Sequence, residues 1–199
     1  MSVRDNPKVT ELNLAQLGTL FASTMRTKPN ILIAGTPGTG KSTLVDALKS
    51  SEKWKSGDVD LKLINVGEFA KDNECYESYD EEYECHVLDE EKLLDLIEPM
   101  LESGGVMLDY HSGDLFDAKL IDGVFITRAD NTVLYDRLKA RGYSEKKLQK
   151  NLECEIFQTI LDEATEEHEN VVELPSNSEK DIEQNVDRIL DFIKEWSEQ

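Results

Sequence analysis

The 199-residue chain has no uninterrupted apolar run approaching the roughly 18–20 residues that a membrane span needs, which excludes a transmembrane helix. Cysteine is scarce: Cys75, Cys85 and Cys154 form an odd set with no short paired spacing, the mark of neither a disulfide framework nor a zinc site. With no secretory signal segment to be seen, the expected compartment is the reducing interior of the cell. Positive charge is also short, 22 Lys and Arg against 42 Asp and Glu, a formal net charge of −20. That balance argues against general affinity for nucleic acid and favours a basic partner. The deficit is local, since half of the twenty residues from Asp72 to Glu91 are acidic and none is Lys or Arg. Such a run is either a solvated face or a surface that docks something basic.

The length suits one domain with its own core, and 39% hydrophobic against 32% charged residues suits a soluble globular chain. The most informative stretch is Asn30 to Thr43, an apolar run opening into Gly35-Thr36-Pro37-Gly38-Thr39-Gly40-Lys41-Ser42-Thr43. Gly35, four residues, then Gly40-Lys41-Ser42 fits a phosphate loop: backbone N–H groups cradle phosphate oxygens, Lys41 reaches the outer phosphates and Ser42 ligates Mg²⁺. Glycines admit backbone angles closed to other residues, and the start of the following helix attracts an anion. A plain glycine-rich turn between strand and helix would need the spacing, the Lys-Ser pair and the apolar strand to coincide.

Residues 1–29 read as an N-terminal extension, poorly ordered or with a turn or two of helix over Leu12 to Phe21. Beyond it, strands are expected at Ile31–Ala34, Leu61–Asn65, Val106–Asp109, Val124–Thr127 and Val171–Leu174. Helices are expected over Lys41–Ser50, briefly after Asn65, from Leu88 to Ser103 with Pro99 shortening or kinking the end, from an Asn131 cap to Arg141, from Glu145 to about Glu167 as one long helix, and from a Ser178/Asp181 capping box to the end. The long helix would bury Leu148, Leu152, Ile156, Ile160 and Leu161. The acidic segment shows no sustained helical stripe. Alternating strands and helices imply a five-stranded parallel sheet covered on both faces, with ligands at the carboxyl edge. The phosphate loop, Asp109 and Arg128 all follow strands and are expected to converge there.

Asp109 closes an apolar strand where a phosphate-loop enzyme keeps the carboxylate that holds Mg²⁺. His111, beside it, reads as a group that orients water or phosphate, or as a hydrogen-bonded structural histidine. Arg137 and Arg141 share a helix face, and Arg141-Gly142-Tyr143 with Lys146-Lys147 reads as a basic lid hinged at Gly142, or as cations at a helix end.

Seven segments together resemble the adenylate kinase isoenzyme 6 family: the phosphate loop at 35–42, Asn65-Val66-Gly67-Glu68-Phe69-Ala70-Lys71, Tyr79-Asp80-Glu81-Glu82-Tyr83, Leu88-Asp89-Glu90-Glu91-Lys92, Asp109-Tyr110-His111, and the stretches 131–138 and 141–148. The resemblance runs from about Pro29 to Trp196 and implies an α/β P-loop nucleoside monophosphate kinase fold. Residues 65–88 would be the monophosphate-binding region and 140–150 the lid. It implies adenylate kinase activity, ATP + AMP giving two ADP, and ATP hydrolysis during small ribosomal subunit (18S rRNA) maturation, in nucleus and cytoplasm. The implied partners are ATP, AMP, ADP and a basic small-subunit ribosomal protein, without direct general binding of nucleic acid or membrane. Gly38, Thr39, Gly40, Lys41, Ser42, Thr43 and Arg141 would contact ATP; Ser42 and Asp109 would hold its Mg²⁺; Lys41, Asp109, His111 and Arg141 would be catalytic. A nucleotide-gated assembly factor with incidental kinase turnover is the alternative. Where the family commonly carries Phe-Pro-Glu-Arg, this chain has Phe116-Asp117-Ala118-Lys119.

Overall fold

The computed structural model describes residues 26–81 and 85–198, so most of the N-terminal extension, including the helical turns read at 12–21, lies outside the described residues, as does Tyr83. The chain enters at β1 (Ile31–Ala34), passes through the glycine-rich turn into α1 (Lys41–Ser50), adds the one-turn α2 (Glu52–Lys55), and continues through β2 (Lys62–Asn65) and α3 (Val66–Asp72). An antiparallel hairpin, β3 (Tyr76–Asp80) and β4 (Cys85–Leu88), precedes α4 (Glu90–Ser103) and β5 (Val106–Asp109). Then come β6 (Gly123–Arg128), α5 (Asn131–Ala140), α6 (Glu145–Ile156), α7 (Thr159–Glu167), β7 (Val171–Pro175) and α8 (Glu179–Ser197).

Five strands form one parallel sheet in the order β2-β5-β1-β6-β7. β1 is central, and the chain leaves it first towards one edge and later the other, which makes its carboxyl end a crevice. Every β1 residue is fully buried because the pleat sends alternate side chains to opposite packed faces. Ile31 and Ile33 meet Leu44 and Leu48 of α1 and Ile189 and Ile193 of α8. Leu32 and Ala34 meet Leu93, Ile97 and Leu101 of α4 and Ala164 of α7. A third cluster, Leu134 and Leu138 with Leu148, seats α5 against α6.

The last helix carries the expected capping box, with Ser178 and Asp181 bonding each other's backbone N–H. Pro99 does not end its helix, which runs on to Ser103. Three local expectations are corrected. The cap position before α5 is Asp130, not Asn131, and makes no side-chain bond there. Residues 145–167 are two helices: Phe157 ends the first and Gln158 turns the chain at φ 59. The break lets Leu148 face α5 while Leu161 and Ala164 face the sheet, and it leaves Ile156, expected in the core, 51% exposed. The acidic segment forms the hairpin, and its exposed Tyr79 and Val87 stand outside the main core.

Candidate functional site

Glycine makes the phosphate loop possible where it approaches its neighbours most closely. Gly35 has φ +140 and a Cβ there would lie 2.5 Å from the Thr127 carbonyl oxygen; Gly40 has φ +105 and would meet Ser176 Oγ at 2.4 Å. Thr39 Oγ1 donates to Thr36 O at 2.8 Å and lies 2.7 Å from Thr127 Oγ1, pinning the loop to β6. α1 then starts at Lys41 with no side-chain cap from Gly40 and no acidic residue in its first turn, which leaves its positive end free for an anion.

Two cavities flank this loop. The first, ≈ 620 Å³, lies between Gly38, Gly40 and Thr43 on one side and Arg137, Ala140, Arg141 and the Ser176–Glu179 turn on the other. The second, ≈ 440 Å³, takes in Lys41, Ser42, Asn65, Asp109, His111, Arg141, Tyr143 and Lys147. Gly38, Gly40 and Arg141 line both. The structure thus brings together the predicted Gly38, Gly40, Lys41, Ser42, Thr43, Asp109, His111 and Arg141. Thr39 is buried beneath the loop, its hydroxyl spent on the fold and its carbonyl 3.5 Å from Arg137 Nη1.

Lys41 Nζ donates to the carbonyls of Gly35 and, at 3.2 Å, Thr36. Burial lowers its pKa to about 8; Asp109 acts against that shift and Arg141 adds to it. Burial likewise raises the Asp109 pKa, while the Lys41 charge and a 2.9 Å bond from Asn65 Nδ2 to Asp109 Oδ2 favour the carboxylate. β2 and β5 are neighbours with Asn65 and Asp109 in register, which is why the two side chains meet. His111 packs beside Tyr110 with ring centroids 4.2 Å apart, and partial desolvation together with Lys41 lowers its pKa, keeping it neutral at pH 7. Gly142 has φ +72 in open space between α5 and α6, and Lys147 sits 5.2 Å from the Tyr143 ring.

Arg128 departs from expectation. It ends β6 at the right edge but turns away from both cavities, bonding Glu155 Oε1 at 2.6 Å and Glu173 at 3.3 Å. A buried carboxylate far along the chain claims it, and nothing local in the sequence signals that pairing. Asn65, the strand end that opens the expected monophosphate-binding region, lines the second cavity, whereas Ser176, which lines the first, follows a strand-stopping Pro175 without any motif to signal it. The departure at 116–119 lies elsewhere. Phe116 is buried, and Ala118 and Lys119 line a separate ≈ 330 Å³ cavity with Arg26, Asp122 and Trp196 near the start of β6.

Comparison with known proteins agrees with this geometry. A family model described as an AAA domain matches residues 31–158. The adenylate kinase isoenzyme 6 homolog of Saccharomyces cerevisiae is 45% identical over 173 residues, covering 86% of this chain and 85% of its own. The Caenorhabditis elegans homolog is 45% identical over 175 residues (86% and 92% covered), and that of Drosophila melanogaster 42% over 171 (85% and 94%). A solved shikimate kinase from Bacteroides thetaiotaomicron aligns with a TM-score of 0.50 over 83% of this chain and 98% of its own, at 15% identity, a likeness of fold alone. A phosphate loop at the centre of a five-stranded parallel sheet and relatives this similar over most of their length lead to one conclusion: the chain belongs to the adenylate kinase isoenzyme 6 family of P-loop nucleotide kinase-type enzymes.

Proposed function

We propose that the protein is an adenylate kinase, converting ATP and AMP to two ADP, that also passes the γ-phosphoryl group to water. The observation that carries this is the pair of cavities meeting at Gly38, Gly40 and Arg141. The first takes the donor nucleoside, and the donor phosphates lie across the loop and α1. The second, bounded by Asn65 and Gly67 at the start of the expected monophosphate-binding region, takes the acceptor monophosphate. Phosphoryl transfer needs in-line positioning and neutralised charge more than covalent chemistry. Lys41 leaves its loop carbonyls for the outer phosphates, Arg141 closes from the lid, and neutral His111 orients the attacking phosphate or water. Tyr143 and Lys147 help exclude bulk water, so the closure of 140–150 sets the balance between AMP and water as acceptor.

Mg²⁺ suits this donor set. Ser42 and Asp109 present hard oxygens to the same cavity, and Asn65 occupies only one oxygen of Asp109. An ion carried by ATP takes one or two protein ligands, the number these two residues offer. When bound it would supply charge neutralisation at the β- and γ-phosphates.

The exposed acidic hairpin supports a second reading, a nucleotide-gated assembly factor for a basic small-subunit ribosomal protein, acting in 18S rRNA maturation in nucleus and cytoplasm. A coupled assay separates the two. ADP formation from ATP should rise with added AMP, and Lys41→Ala should lower it by about 10²-fold or more. Turnover indifferent to AMP but stimulated by a basic ribosomal protein would favour the second reading.

A further inference from the structure

We propose that Glu155 is a positioning residue that clasps the phosphate loop to the helix carrying the lid, so that loop shape and closure of Arg141 are set together; this rests on the nucleotide-binding reading above. Glu155 lies at the end of α6, 4% exposed, and three donors converge on its carboxylate. Thr36 Oγ1 donates to Oε2 at 2.7 Å; Arg128 Nε and the Ala129 N–H donate to Oε1 at 2.6 and 3.1 Å. Arg128 Nη2 also reaches the Glu155 carbonyl at 3.2 Å. A buried carboxylate is costly unless its lone pairs are filled, and here they are filled from β6 on one side and the phosphate loop on the other.

Thr36 passes the constraint on. It is 1% exposed, its hydroxyl is committed to Glu155, and its carbonyl accepts from Thr39 Oγ1 at 2.8 Å and Lys41 Nζ at 3.2 Å. One of the two carbonyls that hold Lys41 at rest, beside that of Gly35, therefore belongs to the residue held by the lid helix. α6 begins three residues after Gly142, which has φ +72 and open space around it. The lid thus starts at a glycine turn with room about it and runs into a helix clasped at its far end. Loss of the clasp frees Thr36 to rotate and lets α6 shift relative to the loop, so Arg141 and the loop N–H groups no longer meet the same phosphates.

The test is a double-mutant cycle on ATP affinity, measured by equilibrium titration so that it does not depend on kinase turnover, with hydrogen exchange at the lid amides of 141–150 in ATP-saturated protein. Thr36→Val keeps the shape and removes the hydroxyl; Glu155→Gln keeps the shape and removes the charge. Each should weaken ATP binding about tenfold and reduce ATP-induced lid protection, and the double variant should be no weaker than the worse single one. Thr36→Ser, which retains the hydroxyl, should bind like the parent. Single effects that multiply to about a hundredfold, ATP affinity unchanged in both variants despite a lowered melting temperature, or unaltered lid protection would each overturn the clasp. Parent protein that binds ATP but forms no AMP-dependent ADP would instead sink the kinase reading and leave the clasp standing.

Discussion

Lys41 shows how a single side chain carries both the motif and its cost. Its position after Gly40 was legible from spacing alone, because four residues between two glycines followed by Lys-Ser is a pattern set by backbone geometry. Its environment was not legible: burial against the loop carbonyls lowers its pKa to about 8, and Asp109 from β5 only partly offsets that. The protonated form is the one that binds phosphate. In free enzyme that form is lost as pH rises through about 8, whereas phosphates bound in the complex hold the proton on. The ratio kcat/KM for ATP should therefore fall above about pH 8 while kcat stays level to higher pH, and a pH–rate profile with kcat/KM flat to pH 10 would contradict this. Asn30 makes the complementary point. It is fully buried, donates to Leu101 O at 2.7 Å and Leu120 O at 2.8 Å, and accepts from Val106 N at 3.0 Å. A polar residue before a strand gives no hint of partners 71 to 90 positions away. Glu155 was invisible for the same reason, and so was the pairing with it that draws Arg128 from the edge where it was expected.

At the scale of elements, the regular ones were legible from apolar periodicity and the irregular ones were not. β1 and β5 are short runs buried on both faces, and α8 repeats its apolar residues along one stripe behind a capping box, so pattern and structure coincide. The 145–167 stretch keeps a helical period throughout, yet the chain breaks at Gln158 because its two halves pack against different neighbours. The hairpin was hidden because its exposed strands carry no strong apolar alternation. α7 and the residue after it also steady the loop beyond Asp109. Gly113 packs against Ile160 and Ala164, and the neutral His168 ring donates from Nε2 to Gly113 O at 3.1 Å, while Nδ1 is buried without a partner among the described residues. Burial lowers the His168 pKa, although the Gly113 bond and Glu167, Asp114 and Asp117 favour the charged form. A depressed histidine binds fewer protons folded than unfolded, so its contribution is present above pH 6.5 and is lost as pH falls below it. The melting temperature should drop more steeply from pH 7 to 5 in the parent than in His168→Gln, which can still donate to Gly113 but does not titrate. Parallel curves for the two proteins would count against that role.

For the whole molecule, strands alternating with helices announced a parallel sheet, which is present, and ligand space at its carboxyl edge, where a cavity opens between the phosphate loop and Asp109. Asp109 converges with the phosphate loop because β5 lies beside β1; β6 is β1's other neighbour, yet its terminal Arg128 serves Glu155 instead. Adjacency follows from topology, whereas the direction of a side chain follows from the partners that pair with it, here the Glu155 carboxylate. The net charge of −20 makes a polyphosphate site an exception to the surface around it, so Lys41, Arg137, Arg141 and Lys147 must be gathered from α1, α5 and the lid to form it. No described helix is long and apolar enough to cross a membrane. The central claim, that two nucleotides meet across the loop for phosphoryl transfer, is tested most directly by following the γ-phosphoryl of labelled ATP in the presence of Mg²⁺ and AMP. Most of the label should appear as the β-phosphoryl of ADP, with inorganic phosphate gaining it when AMP is withheld. Label that enters inorganic phosphate alone, at the same rate with or without AMP, would contradict it.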